Sequence, residues 1–375
     1  MLVETLDLRG FRNLTDGELS LDSSLTVLHG PNGAGKTNLL EALYFGLSGR
    51  SCRTRAERET IRFGESLSRV EVVVADGSER RTFLAAVDRG EGRRHTLDGS
   101  AAGPDAAAKR PALALFMPDR LALVKGPPAA RRGHLDRLVP ALWPARAELR
   151  PRFGRALAQR NALVARVRAG ASQPASLDAW DMELATAAVG LIGARSEAVE
   201  SLAGPFRAAA LRLGLPGEAE LEYRPRSEAD DAETLAAELR ERRAADLDRG
   251  YTTHGPQYDE LHIGLAGRSV RRYGSQGQQR LALLALIFAE RELLLDSRGA
   301  APLLLLDDVM SELDPERREL LTETVLAAGQ ALLTATDTSQ LPDGPRRELR
   351  VRAGRFELVA GSGAVDANAI GRDAA

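Results

Sequence analysis

A glycine-rich loop near the amino terminus constrains the fold more than any other feature of this sequence. Residues 30–37 read GPNGAGKT and fit the pattern GxxxxGK[ST]. The apolar run Leu25–His29 precedes the loop, and helical spacing follows it from Thr37 to about Leu47, so we predict a strand–loop–helix unit. Glycines let successive backbone N–H groups curve around an anion, and the following helix adds the positive end of its dipole. The sequence therefore predicts a phosphate-binding loop.

Side chains at the end of this loop have the groups that a nucleoside triphosphate requires. Lys36 can reach the β- and γ-phosphates, and the hydroxyl of Thr37 can ligand Mg²⁺. The alternative is a glycine-rich turn with an accidental lysine, but lysine occurs only at Lys36, Lys109 and Lys125. We expect ATP and Mg²⁺ as cofactors, bound by the whole loop and the residue after it: Gly30, Pro31, Asn32, Gly33, Ala34, Gly35, Lys36, Thr37 and Asn38.

A second motif, which ends in two acidic residues, lies far along the chain, where residues 302–308 read PLLLLDD. A continuously apolar strand is typical of a parallel sheet that is covered on both faces, as in α/β layer structures. We predict that Asp307 holds the metal, through water or Thr37, and that Asp308 positions or deprotonates the attacking water, which makes Lys36, Asp307 and Asp308 candidate catalytic residues. Taken alone, two adjacent acids at a strand end also fit a solvated turn or a helix cap.

A helix start without a cation forms a third candidate site, where residues 273–286 read YGSQGQQRLALLAL. A helix amino terminus carries about half a positive charge and several unpaired N–H groups. Ser275 and Gly277 stand at this start, so the segment predicts a second anion site. A capped helix with no ligand is the alternative.

The order of these motifs, closed by Ser311 and Asp314 in the stretch SELD, resembles the ABC-type ATPase heads. In that family the serine-glycine helix start of one subunit covers the γ-phosphate bound by the loop of the other. The resemblance implies an ATP-dependent, isologous homodimer in which Ser275, Gly277 and Gln278 complete the partner's site, and it makes Ser275 a further candidate catalytic residue. It also implies the fold class: an α/β, ABC-type P-loop ATPase head with a helical inserted second domain.

Further stretches resemble the RecF family of SMC-like ATPases over about residues 1–358. They are GPNGAGKTNLLEALYFGLSGRSCRTR, which includes Asn32 and Asn38, LVKGPPAARRGHLD, DLDRGYTTHGPQYDEL, YGSQGQQR and LLLLDDVMSELD. One departure is Gln257-Tyr258, where the family usually has His-Arg. This resemblance implies a clamp that dimerises with ATP on double-stranded and single-stranded DNA at gaps or junctions. It further implies a role in recombinational repair and fork restart, with RecR and RecO as partners that help load the recombinase.

Two further hypotheses concern the rate of ATP hydrolysis and the residues that contact DNA. Aspartate at 308, where related ATPases often have the longer glutamate, predicts slow ATP hydrolysis that DNA stimulates. Four arginines outside the apolar runs are candidates to contact DNA phosphates, although solvated surface arginines are the alternative: Arg53, Arg55, Arg131 and Arg132.

Composition and patterning bound the remaining possibilities. The single cysteine, Cys52, excludes an intramolecular disulfide, and no stretch reaches the ~20 apolar residues of a membrane span, so we expect a cytoplasmic protein with no membrane partner. A transporter subunit, a nuclease-linked SMC-like ATPase and a scaffold with a decayed ATPase are the competing interpretations. We predict an ATPase head of residues 1–126 and 246–360, a mostly helical insertion of 127–245 and a disordered tail of 361–375.

Overall fold

The chain divides into two compact units, each assembled from separate stretches of sequence. A computed structural model describes residues 1–21, 24–54, 56–103, 106, 109–327, 329–338 and 346–359. The first unit contains residues 1–120, 212–214 and the described residues from 290 onward, and the second contains 121–211 and 215–289. The predicted tail of 361–375 lies outside the described residues.

The boundaries of these units differ from the predicted domain boundaries mainly at residues 246–289. Residues 246–289, predicted in the ATPase head, belong to the second unit. The physical reason is strand pairing, because residues 260–265 pair in antiparallel register with residues 219–224 inside the predicted insertion. Periodicity along the chain reveals a strand but not its partner.

Strands and helices alternate unevenly along the described chain. The strands are β1 (Leu2–Arg9), β2 (Gly17–Ser20), β3 (Leu25–His29), β4 (Leu67–Asp76), β5 (Glu79–Asp88), β6 (Gly92–Leu97), β7 (Ser100–Ala101), β8 (Leu113–Phe116), β9 (Ala219–Arg224), β10 (Glu260–Leu265), β11 (Arg268–Ser269), β12 (Leu303–Leu306), β13 (Ala331–Ala335), β14 (Arg347–Arg352) and β15 (Arg355–Leu358). The α-helices are α1 (Lys36–Ser48), α2 (Ala122–Lys125), α3 (Pro128–Leu142), α4 (Leu149–Arg168), α5 (Leu177–Arg212), α6 (Ala232–Glu241), α7 (Arg243–Arg249), α8 (Val270–Tyr273), α9 (Gln276–Arg298) and α10 (Pro315–Leu326).

One sheet of the first unit is mainly parallel and carries both predicted phosphate-site motifs. Its strand order is β15-β14-β3-β13-β12-β8, and neighbours from β14 to β8 run parallel. The four leucines of β12 are at most 1% exposed, which confirms the predicted strand with both faces covered. Since β13 lies between β3 and β12, the carboxyl ends of these three strands meet at one edge of the sheet.

The other sheet of the first unit is antiparallel, with the order β2-β1-β4-β5-β6-β7. Strands β1 and β2 form an antiparallel pair at the amino terminus, and β4 and β5 form a hairpin that turns after Asp76. Gly77 has a φ of +62°, a value that favours glycine in a tight hairpin turn.

Helix α1 joins these two sheets into one hydrophobic core. Its leucines and Phe45 share a core cluster with valines of β4 and with leucines of β12 and β13. The helix approaches β4 so closely that a Cβ at Gly46 would lie 2.5 Å from a methyl carbon of Val72. This packing fixes the first residues of α1, and therefore the phosphate loop, against the parallel sheet.

The second unit combines helices with a three-stranded antiparallel sheet of order β11-β10-β9. Helix α5 is its longest element with 36 residues, and it continues through Pro205. Helices α6 and α7 are separated by a single residue, Arg242. None of the helices in the described part of the chain combines the length and the hydropathy that a membrane crossing requires.

Candidate functional site

The phosphate loop lies between β3 and α1, as predicted, and close packing requires a glycine at its first position. Gly30 has a φ of +153°, and a Cβ there would lie 2.2 Å from the carbonyl oxygen of Val351. Gly35 ends the loop at a φ of 116° and caps α1. The turn after β14 supports the loop, since the N–H of Gly354 donates to the Ala34 carbonyl at 2.8 Å.

A pocket of about 420 Å³ opens at the edge where β3, β13 and β12 end. It is lined by residues of both predicted motifs of the first unit and by a few neighbours: Asn32, Gly33, Gly35, Lys36, Thr37, Asn38, Arg53, Asp307, Asp308, Thr334 and Thr336. The structure therefore brings together the phosphate loop and both acids, which are separated by some 270 residues in sequence.

The metal-site prediction has a direct geometric counterpart. The Thr37 hydroxyl oxygen lies 3.0 Å from each carboxylate oxygen of Asp307. Thr334, at the end of the intervening strand β13, donates its hydroxyl to Asp307 Oδ1 at 2.8 Å and accepts from the N–H of Asp308 at 2.8 Å. Burial raises the pKa of Asp307, and the two hydroxyl hydrogen bonds partly oppose that rise. Thr334 thus orients both acids.

Asp308 has an unfavourable backbone conformation and a buried oxygen atom without a hydrogen bond. Its φ of 50° lies in the left-handed region that non-glycine residues seldom adopt. Its Oδ1 atom is buried and has no hydrogen-bond partner among the described residues. Strained backbone and an unsatisfied buried oxygen concentrate at functional sites, because the surrounding structure must offset their cost.

Lys36 is 7% exposed, and its Nζ donates to the carbonyls of Gly30 at 2.6 Å and Pro31 at 3.1 Å. Burial lowers the pKa of this lysine, and the negative charges of Asp308 and Asp307 oppose the fall. The ammonium group therefore lies within the loop, in an environment that an anionic phosphate would make more favourable.

Two residues of this site were missed by the sequence analysis. Asn13 donates to the Gly33 carbonyl at 3.1 Å and accepts from Asn38 at 2.8 Å, which ties the turn after β1 to the loop. Glu41, fully buried on α1, accepts from Arg12 at 2.9 Å and from Ser51 at 2.6 Å. Glu41 left one signal in the sequence, since it is the only acid within the apolar helix KTNLLEALYFGLS.

Arg53, predicted to contact DNA, lines this pocket instead of lying apart from it. Its Nη1 donates to Asn38 Oδ1 at 2.8 Å and to Glu41 Oε2 at 3.2 Å. Its contact with DNA stays a prediction. Arg55 lies outside the described residues.

The second unit contains the other predicted residues. Arg131 is 3% exposed and forms a bidentate pair with Glu260 at 2.5 and 2.8 Å, which favours an internal structural role over the predicted DNA contact. Arg132 donates to the Asp259 carbonyl at 2.9 Å. At the departure from the family pattern, Gln257-Tyr258, the side chain of Gln257 stabilises the local loop by donating to the His254 carbonyl at 3.0 Å.

The helix start at Ser275 is a capping box. Ser275 Oγ accepts from the N–H of Gln278 at 3.2 Å, and the Gln278 side chain accepts from the N–H of Ser275 at 2.8 Å. Ser275 is exposed, and a Cβ at Gly277 would meet no atom closer than Ser275 Oγ at 3.9 Å. The start of α9 is therefore rigid and accessible. Its role in covering a partner's nucleotide stays a prediction.

The mixed α/β fold, with a phosphate loop and paired acids at one edge of a parallel sheet, defines a P-loop ATPase head of the ABC type. Residues 2–353 match the family model described as the RecF/RecN/SMC N terminal domain. The chain belongs to the RecF family of SMC-like ATPases.

Comparison with individual relatives gives the same result. The chain is 40% identical over 352 residues to the DNA replication and repair protein RecF of Anaeromyxobacter dehalogenans, covering 90% of this chain and 93% of the relative. It is 35% identical over 358 residues to that of Deinococcus radiodurans, covering 96% of each. A solved structure of the recombination mediator protein RecF with ATP, in the RecFOR pathway, matches with a TM-score of 0.86 at 25% identity, covering 96% of this chain and 98% of the other.

Proposed function

We propose that this chain is an ATP-dependent DNA-binding protein of recombinational repair and replication-fork restart. ATP joins two copies into a clamp on DNA at gaps or junctions between single-stranded and double-stranded DNA, and slow hydrolysis limits the life of the clamp. The observation that carries this proposal is the meeting of Lys36, Thr37, Asp307 and Asp308 in one pocket of a RecF-family chain. The RecFOR pathway of the similar structure supports RecR and RecO as partners.

The residues present fit a magnesium ion. Mg²⁺ prefers oxygen ligands and is commonly held by one or two protein groups together with substrate phosphates. The hydroxyl oxygen of Thr37 lies 3.0 Å from both carboxylate oxygens of Asp307, so these two side chains are the groups that would hold the ion. When bound, Mg²⁺ neutralises the charge that develops on the phosphates.

Each side chain of the pocket then has a defined task. The loop amides and Lys36 bind the β- and γ-phosphates, which places the terminal phosphate in front of the acids. Thr334 fixes the orientation of Asp307 and of the Asp308 backbone. Asp308 accepts a hydrogen bond from the attacking water, and its carboxylate, shorter by one methylene than glutamate, makes this step slow.

The capping box at α9 provides the other half of the site from the second copy. It occupies the N–H of Gln278 and holds the Ser275 hydroxyl at the helix start. The remaining first-turn N–H groups have no intrahelical partner and suit an anion. Ser275, Gly277 and Gln278 of one copy therefore cover the γ-phosphate bound by the other, and two equivalent sites form in a two-fold dimer.

Replacing Ser275 by arginine is expected to abolish dimerisation with ATP, because the larger cation fills the space that the γ-phosphate must occupy. Molecular mass measured by light scattering, with and without ATP and Mg²⁺, tests this directly. Wild type is expected to double its mass with nucleotide, whereas Ser275→Arg stays monomeric.

The matched control is Ser297→Arg, the same change at an exposed position near the other end of α9. It is expected to dimerise like wild type. A wild-type protein that stays monomeric with ATP and Mg²⁺, or a Ser275→Arg variant that dimerises normally, would exclude the proposed clamp.

A further inference from the structure

A basic pocket of about 370 Å³ lies in the second unit and shares no lining residue with the nucleotide pocket of the first unit. Its walls come from α3, β9, β10 and α8, and four arginines line it: Arg131, Arg224, Arg271 and Arg272. Glu260 is its only acidic residue. We use the name basic pocket for this site below.

The arginines of the basic pocket differ in how far their charge is compensated. Arg131 is bound to Glu260 at 2.5 Å, and Arg224 pairs with Glu222 at 2.5 Å. Arg271 and Arg272 are exposed and form no ion pair with any residue that the structure describes. Burial lowers the pKa of His262 and so favours its neutral form. The pocket therefore has two uncompensated guanidinium groups and attracts an anion.

An exposed aromatic ring identifies which anion fits. Tyr273 lines the same pocket and is 69% exposed. Guanidinium groups match the oxygens of a phosphate in a planar fork, and exposed aromatic rings offer a stacking surface to any unpaired base. A free phosphate would use the arginines alone, whereas a DNA strand would use the arginines and the ring.

We propose that the basic pocket binds a backbone phosphate of DNA through Arg271 and Arg272, with an adjacent unpaired base stacked on Tyr273. This proposal rests on the proposed DNA-binding function and deepens it, because none of these three residues was among the predicted DNA contacts. The junctions expected as substrates present both a backbone and unpaired bases.

The position of this site connects DNA to the nucleotide clamp. Helix α8 ends at Tyr273, two residues before the capping box of α9. Gly274 donates its N–H to the Val270 carbonyl at 3.0 Å, and Gln279 donates its side-chain amide to the same carbonyl at 3.3 Å. A phosphate held by α8 therefore restrains the start of α9, so DNA binding and ATP-dependent dimerisation stabilise each other.

The test is the salt dependence of binding to fluorescently labelled gapped DNA, measured by anisotropy with ATP and Mg²⁺. Each lost phosphate contact makes the negative slope of log K against log [salt] shallower by about 0.9. Arg271→Ala/Arg272→Ala removes one phosphate contact, so it is expected to make the slope shallower by about 0.9 and to lower the affinity on the order of 10-fold at 0.1 M salt. The control Arg166→Ala/Arg168→Ala removes two exposed charges from the same unit, in the last turn of α4, and is expected to change the affinity less than threefold.

A second pair of variants tests stacking separately from charge. Tyr273→Ala is expected to weaken binding to gapped DNA about tenfold without changing the salt slope, and Tyr273→Phe is expected to restore it. Binding to fully paired duplex should change little in either variant. An equal loss on duplex and gapped DNA in Tyr273→Ala would overturn the stacking assignment.

The remaining outcomes separate this proposal from its alternatives. If inorganic phosphate raises the melting temperature of wild type but not of Arg271→Ala/Arg272→Ala, while DNA affinity is unchanged, the pocket takes a free anion and the proposal fails. Equal losses in the double variant and its control would also overturn it. If wild type does not bind DNA, the proposed function itself fails.

Discussion

Asparagine in place of Asp308 is expected to lower the rate of ATP hydrolysis by about 100-fold or more, the usual contribution of a general base. The amide keeps the size of the side chain but cannot accept a proton. Asparagine also tolerates the left-handed backbone, so the φ of 50° and the hydrogen bond from the Asp308 N–H to Thr334 should persist. Single-turnover hydrolysis, with and without gapped DNA, measures the effect.

Measuring the affinity of the Asp308→Asn variant for ATP distinguishes a loss of hydrolysis chemistry from a loss of folded protein. Asp308→Asn is expected to bind ATP within about threefold of wild type, because Lys36 and Thr37 are unchanged. Glu316→Gln removes an exposed carboxylate from α10 of the same unit and should hydrolyse ATP normally. Wild-type turnover in Asp308→Asn would show that another group activates the water.

Replacing Arg160 by methionine is expected to lower the free energy of unfolding of the second unit by about 3 kcal/mol, at the lower end of the cost of breaking a buried ion pair. Arg160 is fully buried and donates to Asp181 and Asp246, each at 2.7 Å. Methionine fills part of the volume but leaves both carboxylates without this cation. The loss stays moderate because Arg243 still binds Asp181 and Thr253 still donates to Asp246.

Tryptophan fluorescence makes this measurement specific to the second unit. The chain contains two tryptophans, Trp143 and Trp180, and both belong to that unit. Urea titration followed by this signal therefore reports on the unfolding of the second unit. Arg152→Met, the same change at a half-exposed position on the same helix, is expected to cost less than about 1 kcal/mol because surface ion pairs contribute little. Equal midpoints and slopes for the two variants would contradict the proposed role of the buried network.

This network also explains a stretch that the family resemblance emphasised. In DLDRGYTTHGPQYDEL, Asp246 accepts from the N–H and hydroxyl of Thr253, and Arg160 donates to Thr252. His254 lies 2.6 Å from Glu238 of α6. The contacts of these side chains are internal to the second unit, so the recognisable motif fixes the loop between α7 and β10.

Short patterns in the sequence predicted which residues lie together in one pocket of the first unit. The loop 30–37 was recognisable from its own glycines and from the strand and helix on either side. The acids at 307 and 308 were identifiable because four consecutive leucines require a buried parallel strand. The carboxyl ends of such strands share one sheet edge, which explains why motifs some 270 residues apart could be assigned to one pocket.

Contacts between distant segments were not predictable in the same way. Asn13 and Glu41 are single polar residues with no repeated pattern, and their roles depend on which loop packs beside them. Arg53 and Arg131 looked alike in sequence, yet one lines the nucleotide pocket and the other is buried against Glu260. Charge is a property of the residue, whereas its compensation is a property of the fold.

The sequence by itself determined the phosphate loop, the buried strand with its two acids, the capped start of α9 and the family. Each of these depends on local backbone geometry or on a short pattern of burial, so neighbouring residues suffice to specify it. Only the tertiary structure decided that β13 lies between β3 and β12 and delivers Thr334 to both acids, that residues 246–289 belong to the second unit, and that Arg271, Arg272 and Tyr273 line one pocket. These features depend on strand order and packing between distant segments, which the pattern of residues along the chain does not encode.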